Sequence, residues 1–178
     1  MFDVANTLLE KKELLVTIDF ILKKAGYDIP IEVIEYNHKL LSETLVVPSK
    51  TTKEFYLSFN SRLLDCLGIS DHKSLASEIF RECSGMSWEA YDDVNFLRDI
   101  TGDFKYGIIS NWDKTLRKTL QLTVPLEFEF VISSIEEGVQ KPDSKIYGKA
   151  ISLAGCHPSE IVYVGDSFKL DYLPAMEM

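Results

Sequence analysis

Three aspartates and one lysine lie at or just beyond the ends of short apolar segments. They are Asp3, Lys141, and the pair Asp166 and Asp171, which follows the run Ile161–Gly165. Carboxylates packed together repel one another and raise one another's pKa. A hard divalent cation relieves that repulsion, and Mg²⁺ commonly takes one or two carboxylates together with a substrate phosphate. If these residues meet, they form a magnesium site that accepts an anion.

The formal charges of this set suit a phosphate dianion. The three aspartates supply three negative charges, while Mg²⁺ and Lys141 supply three positive charges, so the occupied site is neutral before an anion binds. The Ser110 hydroxyl and the N–H groups of a helix capped by Asp113 are placed to hold phosphoryl oxygens, because helix N-termini bind anions.

The elements that position these residues follow from the apolar pattern after residue 103. Three short apolar runs, Tyr106–Ser110, Phe128–Ser134 and Ile161–Gly165, alternate with predicted helices at 113–122 and 144–154. Short buried strands that alternate with helices are typical of βαβ units and a parallel sheet. In such sheets ligands bind beyond the carboxyl ends of the strands, which is where the charged residues lie.

Residues 13–100 have helical rather than strand periodicity. Five helices are predicted from this periodicity and from capping and stop residues. The first covers residues 14–25 before Gly26, and the second begins at Ile31. The third begins with Thr51 and Glu54 and ends near Gly68, the fourth covers 71–83, and the fifth is N-capped by Ser87.

Composition excludes several classes of protein. The chain has 178 residues, 46% of them hydrophobic, and a formal charge of −9. Such acidity argues against nucleic acid and anionic membrane surfaces as partners. No apolar run approaches the length of about 20 residues that a membrane helix needs. Three widely spaced cysteines and the lack of a visible secretory signal predict free thiols and a cytoplasmic protein.

The four charged segments, in this order and at these spacings, resemble the four motifs of the haloacid dehalogenase superfamily. That family consists of Mg²⁺-dependent phosphatases with an aspartate nucleophile, and their relatives. The motifs lie in residues 1–9 and 103–178. The resemblance implies an α/β fold: a Rossmann-like parallel sheet core, residues 1–12 and 101–178, with an inserted α-helical cap, residues 13–100.

The resemblance also implies roles for individual residues. Asp3 corresponds to the nucleophile that forms an aspartyl-phosphate, which splits one displacement into two easier ones. Thr7 and Ser110 would orient the nucleophile and the phosphoryl group, and Asn111 would contribute its backbone N–H. Lys141 would neutralise charge that develops on the transferred group. The expected substrate is a small phosphorylated metabolite.

The family's metal ligands carry over in the same way. Asp166 corresponds to the main Mg²⁺-binding carboxylate, with Asp171 supporting it. Asp3 and the backbone carbonyl of Ala5 complete the expected ligand set.

Ala5 departs from the family pattern. Most phosphatases of this family have a second aspartate two residues after the nucleophile, which protonates the leaving group and then activates water. Alanine does neither, and general acid–base catalysis contributes roughly 10² to 10⁴ in rate. We therefore expect a slow phosphatase, a stable aspartyl-phosphate or different chemistry.

Two alternatives to the phosphatase remain. Alanine at this position also resembles phosphonoacetaldehyde hydrolase, which cleaves a C–P bond with a cap lysine, and Lys50 or Lys53 would take that role. The second alternative is a catalytically weak relative that binds a ligand or partner through the cap. The haloacid dehalogenases themselves fit less well, because they work without metal and lack a carboxylate where Asp166 stands.

The predicted central strand is short of residues. In the implied fold, the strand that carries Asp3 lies between the strands that end at Ser110 and Asp166. A strand needs about five residues, yet two precede Asp3, and the sequence stops at Met178 inside a predicted helix. We expect a trimmed chain. The alternative is a stunted strand whose neighbours leave buried backbone groups unpaired, at about 1–3 kcal/mol each.

Overall fold

A computed structural model describes residues 1–45, 48, 51–70, 73–100, 102 and 104–178. Its contacts divide the chain into two compact units. The first, called here the core unit, comprises Met1–Glu10 and Trp88–Met178, and the second, the helical unit, comprises Lys11–Ser87.

Residues 88–100 therefore belong to the core unit and not, as the sequence predicts, to the cap. The physical reason is that Val94 is buried against Val4 and Leu8 in an apolar cluster of the core unit. Burial of these side chains removes apolar surface from water, which fixes the segment to that cluster.

The described residues form nine α-helices and four short strands. In chain order these are β1 (Leu9–Glu10), α1 (Leu14–Lys24), α2 (Ile31–Thr44), α3 (Lys53–Cys66), α4 (Lys73–Cys83), β2 (Glu89–Ala90), α5 (Val94–Asp99), β3 (Gly107–Ser110), α6 (Leu116–Thr123), β4 (Phe130–Ser133), α7 (Ser134–Glu137), α8 (Ser144–Ala154) and α9 (Leu173–Met176). A π-helical turn, Phe168–Tyr172, leads into α9.

The core unit contains a parallel sheet. Strands β3 and β4 pair in parallel from Gly107 opposite Phe130 to Ser110 opposite Ser133. On the other side of β3, Phe2 forms parallel bridges to both Ile108 and Val164. The segment before Asp3 thus lies between β3 and the Val164 segment, which confirms its predicted central position.

Helices cover both faces of β3, because successive side chains of a strand point to opposite faces. Ile108 packs with Leu116 and Leu120 of α6. Ile109 packs with Ile146 and Ala150 of α8. This layering buries the sheet on both sides and leaves its carboxyl edge for polar residues.

Some predicted elements differ in the structure. The helix predicted from residue 113 begins at Leu116, and its N-cap residue is Thr115 and not Asp113. The run Ile161–Gly165 does not form a continuous strand, and within it only Val164 forms a bridge, because the neighbouring segment is the short one around Phe2. The helix expected directly after Ser87 starts only at Val94. Within the intervening segment, Glu89–Ala90 form β2, which pairs with β1 in antiparallel fashion.

The helical unit consists of α1 to α4 around one apolar core. Its fully buried residues include Leu22, Ile34, Leu63 and Ile79, one from each helix. The cap of α3 is Thr52 and not the predicted Thr51: the Thr52 hydroxyl accepts the backbone N–H of Phe55 at 3.3 Å. The start of the predicted fourth helix, residues 71 and 72, lies outside the described residues.

None of the described helices is both long and apolar enough to cross a membrane.

His38 gives the helical unit a pH-dependent stability. Its ring, on α2, lies edge-on to Phe59 with the centroids 5.0 Å apart. Burial, assisted by the charge of Lys39, lowers the pKa of His38 from 6.5 to about 4. Between those values the unfolded chain binds a proton that the folded chain does not. The contribution of His38 to stability is therefore complete above pH 6.5 and decreases as the pH falls towards 4.

Replacing His38 by Gln should flatten this pH dependence. Between pH 7.5 and 4.5 we expect the wild-type chain to lose up to about 3 kcal/mol more free energy of unfolding than His38→Gln, since each unit of pKa shift corresponds to 1.36 kcal/mol. Urea unfolding of both proteins at the two pH values, followed by circular dichroism, measures the difference. Equal losses in the two proteins would contradict the assignment.

Candidate active site

Asp3 and Ser110 meet at the carboxyl edge of the sheet. Phe2 accepts the N–H of Ile109 at 3.0 Å, and Asp3 donates its N–H to the carbonyl of Val164 at 2.9 Å, so backbone bonds to both neighbours hold this segment. Ser110 ends β3, and its hydroxyl donates to Asp3 Oδ1 at 3.0 Å. Both side chains are buried, with 5% and 1% of their surface exposed.

The Lys141 ammonium lies between two carboxylates. Its Nζ donates to Asp3 Oδ1 at 2.7 Å and to Asp171 Oδ1 at 2.6 Å. Only 2% of Lys141 is exposed. Burial lowers the pKa of Lys141, but the charges and hydrogen bonds of Asp3 and Asp171 outweigh it and raise that pKa overall. The lysine is therefore a fixed positive charge at this site.

Asn111 fixes the backbone of Lys141. Its Oδ1 accepts the backbone N–H of Lys141 at 2.8 Å, and its Nδ2 donates to the Lys141 carbonyl at 3.0 Å. This pair of hydrogen bonds joins the end of β3 to a loop 30 residues away in sequence. The sequence missed this side-chain role and assigned Asn111 only a backbone N–H.

Asp171 is buried against a glycine. Its Oδ2 accepts the backbone N–H of Ser167 at 3.0 Å, and its Oδ1 accepts the hydroxyl of Tyr163 at 2.9 Å. A Cβ added to Gly165 would lie 2.3 Å from the Asp171 carboxyl carbon and 2.6 Å from its Cβ. Glycine at position 165 is thus what lets this carboxylate approach the site.

The three aspartates converge as a group of oxygen ligands. One carboxylate oxygen from each of Asp3, Asp166 and Asp171 lies within 4.8 Å of the others. Asp3 and Asp171 are buried and Asp166 is half-buried. An all-oxygen donor set of this kind suits a hard cation such as Mg²⁺. The residues present therefore fit the predicted metal.

Burial and the neighbouring charges together determine the pKa of Asp3. Burial raises the pKa of Asp3, Lys141 acts in the opposite direction, and the neighbouring Asp171 raises it further, so that the pKa lies above its usual range. A bound divalent cation opposes that shift, because it favours the ionised carboxylate.

The loop after Asp3 carries the two remaining predicted site residues. Asn6 has a φ of +57°, and the carbonyl of Val4 accepts the N–H groups of Thr7, Leu8 and Leu9. Among the hydrogen bonds of the described residues, the buried Thr7 hydroxyl has no partner. Its orienting role, and the metal-ligand role of the Ala5 carbonyl, stay predictions.

Of the two cap lysines of the alternative hypothesis, the structure describes only Lys53. Lys50 lies outside the described residues. Lys53 is the exposed first residue of α3, and its ammonium lies 5.9 Å from the centroid of the Phe80 ring, within the helical unit.

The sequence also missed Tyr163 as a residue of this site. Burial and the nearby Asp3 and Asp171 charges raise the pKa of Tyr163, so its hydroxyl stays protonated. One signal was present: Tyr163 is the single hydroxyl-bearing residue in the apolar run Ile161–Gly165.

Comparison with known proteins gives a family model and several relatives. The model, described as haloacid dehalogenase-like hydrolase, matches residues 1–176. One relative is haloacid dehalogenase-like hydrolase domain-containing protein 3 of Danio rerio, 32% identical over 108 residues, which are 58% of this chain and 45% of that protein. Another is glyceraldehyde 3-phosphate phosphatase of Methanothermobacter thermautotrophicus, 35% identical over 78 residues, which are 40% of this chain and 33% of that one.

The chain spans about half the length of the first of these curated relatives. Among solved structures, the putative HAD-hydrolase YfnB of Bacillus subtilis, bound to magnesium, matches 99% of this chain and 82% of its own with a TM-score of 0.59 at 17% identity. Such a likeness shows the fold, and it confirms the predicted α/β architecture of a Rossmann-like core with a helical cap. Because the family model covers nearly the whole sequence, this chain belongs to the haloacid dehalogenase-like hydrolases.

Proposed function

We propose that this hydrolase cleaves the phosphate monoester of a small metabolite, with Mg²⁺ and through an aspartyl-phosphate on Asp3. One observation carries the proposal: a buried Asp3 carboxylate is hydrogen-bonded to Ser110 and Lys141 and adjoins the oxygens of Asp166 and Asp171. A relative named as a phosphatase supports the reaction class.

In the proposed reaction the two oxygens of Asp3 have different tasks. Oδ1 accepts the Ser110 hydroxyl and the Lys141 ammonium, which leaves Oδ2 to attack phosphorus. A bond from Oδ2 to phosphorus forms as the bond from phosphorus to the ester oxygen breaks, and the leaving alcohol takes a proton from solvent. Water then attacks phosphorus, and the bond to Oδ2 breaks to release phosphate and free Asp3.

The carboxylates of Asp3, Asp166 and Asp171, with the Ala5 carbonyl, would hold the magnesium ion. When bound, this ion supplies positive charge to the phosphoryl oxygens and to the crowded carboxylates. Lys141 adds a further fixed charge at the same edge. Three carboxylates and one ammonium carry two net negative charges, which a divalent cation neutralises before a phosphate dianion binds.

The methyl group of Ala5 cannot transfer a proton, so both chemical steps lack the usual acid and base. The missing group contributes roughly 10² to 10⁴ in rate where it is present. We therefore expect a slow phosphatase whose covalent intermediate is long-lived.

Asp3→Asn should abolish turnover. An amide does not displace the ester oxygen, so phosphate release from p-nitrophenyl phosphate with Mg²⁺ should fall to the uncatalysed rate. Asp93→Asn, which changes an exposed carboxylate of the core unit, is the control and should match wild type. Full activity in Asp3→Asn would refute the nucleophile.

Ala5→Asp should raise turnover. If the missing acid and base limits the rate, kcat for p-nitrophenyl phosphate should increase by about 10² or more, within the range that general acid–base catalysis provides. Ala5→Asn adds a side chain of the same size without the ionisable proton and should leave kcat unchanged. An equal rise in both variants, or none in Ala5→Asp, would show that proton transfer is not what the site lacks.

Gly165→Ala should weaken Mg²⁺ binding. The new methyl group collides with the Asp171 side chain and pushes that carboxylate away from Asp3 and Asp166, so the dissociation constant measured by calorimetry should increase about tenfold or more. Gly148→Ala is the matched control. Gly148 lies in α8, and a Cβ there would meet only the end of the Met178 side chain, at an ordinary contact distance of 3.9 Å. Unchanged affinity in Gly165→Ala would rule out Asp171 as a support of the metal site.

A further inference from the structure

The Lys141 ammonium has a third hydrogen-bond partner besides the two carboxylates. An ammonium carries three N–H donors. Two point to Asp3 and Asp171, and Nζ lies 3.3 Å from the hydroxyl oxygen of Tyr163, which accepts the third. With Tyr163, each of the three N–H donors of this buried lysine has an acceptor.

The same hydroxyl also contacts the metal-site carboxylate. Tyr163 donates to Asp171 Oδ1 at 2.9 Å, and the alternative acceptor, the carbonyl of Ile109, lies farther away at 3.5 Å. A phenol has one proton and lone pairs on the same oxygen, so it accepts from Lys141 and donates to Asp171 at once. It links the ammonium and the carboxylate without adding charge to a crowded acidic site.

The Tyr163 ring is held in place by its surroundings. It lies edge-on to Tyr147, with centroids 6.1 Å apart, next to the buried cluster that includes Ile109 and Ile146. The Tyr147 hydroxyl donates to the carbonyl of Leu170, one residue before Asp171. The Tyr163 ring therefore packs against an apolar layer, which positions its hydroxyl between the two groups that it joins.

We propose that Tyr163 is a positioning residue of this hydrolase site: its hydroxyl fixes the Lys141 ammonium and the Asp171 carboxylate relative to each other, so that both face Asp3. The proposal rests on the proposed function, and it assigns a role to a residue that takes no part in the covalent steps. Without the hydroxyl, Lys141 loses one acceptor and Asp171 loses one donor. Both groups then move more freely about the site.

The test compares wild type, Tyr163→Phe and Tyr106→Phe in the full chain. Tyr106 is a matched control, because its buried hydroxyl donates to the carbonyl of Leu97 at 2.9 Å and it directly precedes the opposite end of β3. Two experiments are made: steady-state kinetics give kcat and KM for p-nitrophenyl phosphate at saturating Mg²⁺, and calorimetry gives the dissociation constant of Mg²⁺ alone.

In Tyr163→Phe we expect kcat to fall at least about tenfold with KM within about twofold of wild type. The Mg²⁺ dissociation constant should rise about tenfold, as is typical when a group that orients a metal ligand is lost. Tyr106→Phe should change none of these quantities. If Tyr163→Phe does not fold, Tyr163→Met, which also lacks the hydroxyl but fills the space with a flexible side chain, takes its place.

Equal values in the Tyr163 and Tyr106 variants would overturn the positioning role while the proposed reaction stands. If wild type binds Mg²⁺ but releases no phosphate, the proposed reaction fails, and the calorimetric comparison alone decides the role of Tyr163. If wild type neither binds Mg²⁺ nor releases phosphate, both proposals fail.

Discussion

The site depends on the burial of one ammonium between two carboxylates. Lys141, with 2% of its surface exposed, hydrogen-bonds to Asp3 and Asp171, which lie 138 and 30 residues away in the chain. Removing an unpaired charge from water costs several kcal/mol, so none of the three groups is stable there without the others. The pairing therefore gains little stability of its own but specifies one arrangement, because any misplacement of these segments leaves a buried charge uncompensated.

Backbone hydrogen bonds position those charges. Phe2 forms isolated parallel bridges to both Ile108 and Val164, and these bridges orient Asp3 from both sides. Asn111 joins the Lys141 backbone to the end of β3. The strands thus position the backbone of Asp3 and Ser110, and hydrogen bonds from Asn111 position the backbone of Lys141.

Convergence of the charged residues was predictable from the sequence, and their detailed contacts were not. Asp3 and Asp166 each follow an apolar segment and Ser110 ends one, and parallel strands bring such positions to one edge. The roles of Asn111 and Tyr163 depend on loop conformation and on which way one phenol points, and neither leaves a periodic signal. Two-residue strands such as β1 and β2 are likewise too short for alternation to reveal them, which explains why the boundary near residue 88 was missed.

Holding the Asp3 carboxylate and transferring a proton are separate tasks, and Ala5 affects only the second. Among the described residues, the hydrogen bonds that hold Asp3 come from Ser110, Lys141 and backbone groups, and none involves the side chain of residue 5. The hydrogen bonds of the Asp3 carboxylate therefore do not depend on the side chain at position 5, and an alanine there cannot transfer a proton. Under the proposed function, such a site favours esters whose leaving oxygen departs without protonation, and it releases phosphate only as fast as unassisted water attacks. Under that function, alanine at position 5 affects the rate and the choice of substrate, and it leaves the hydrogen bonds of Asp3 in place.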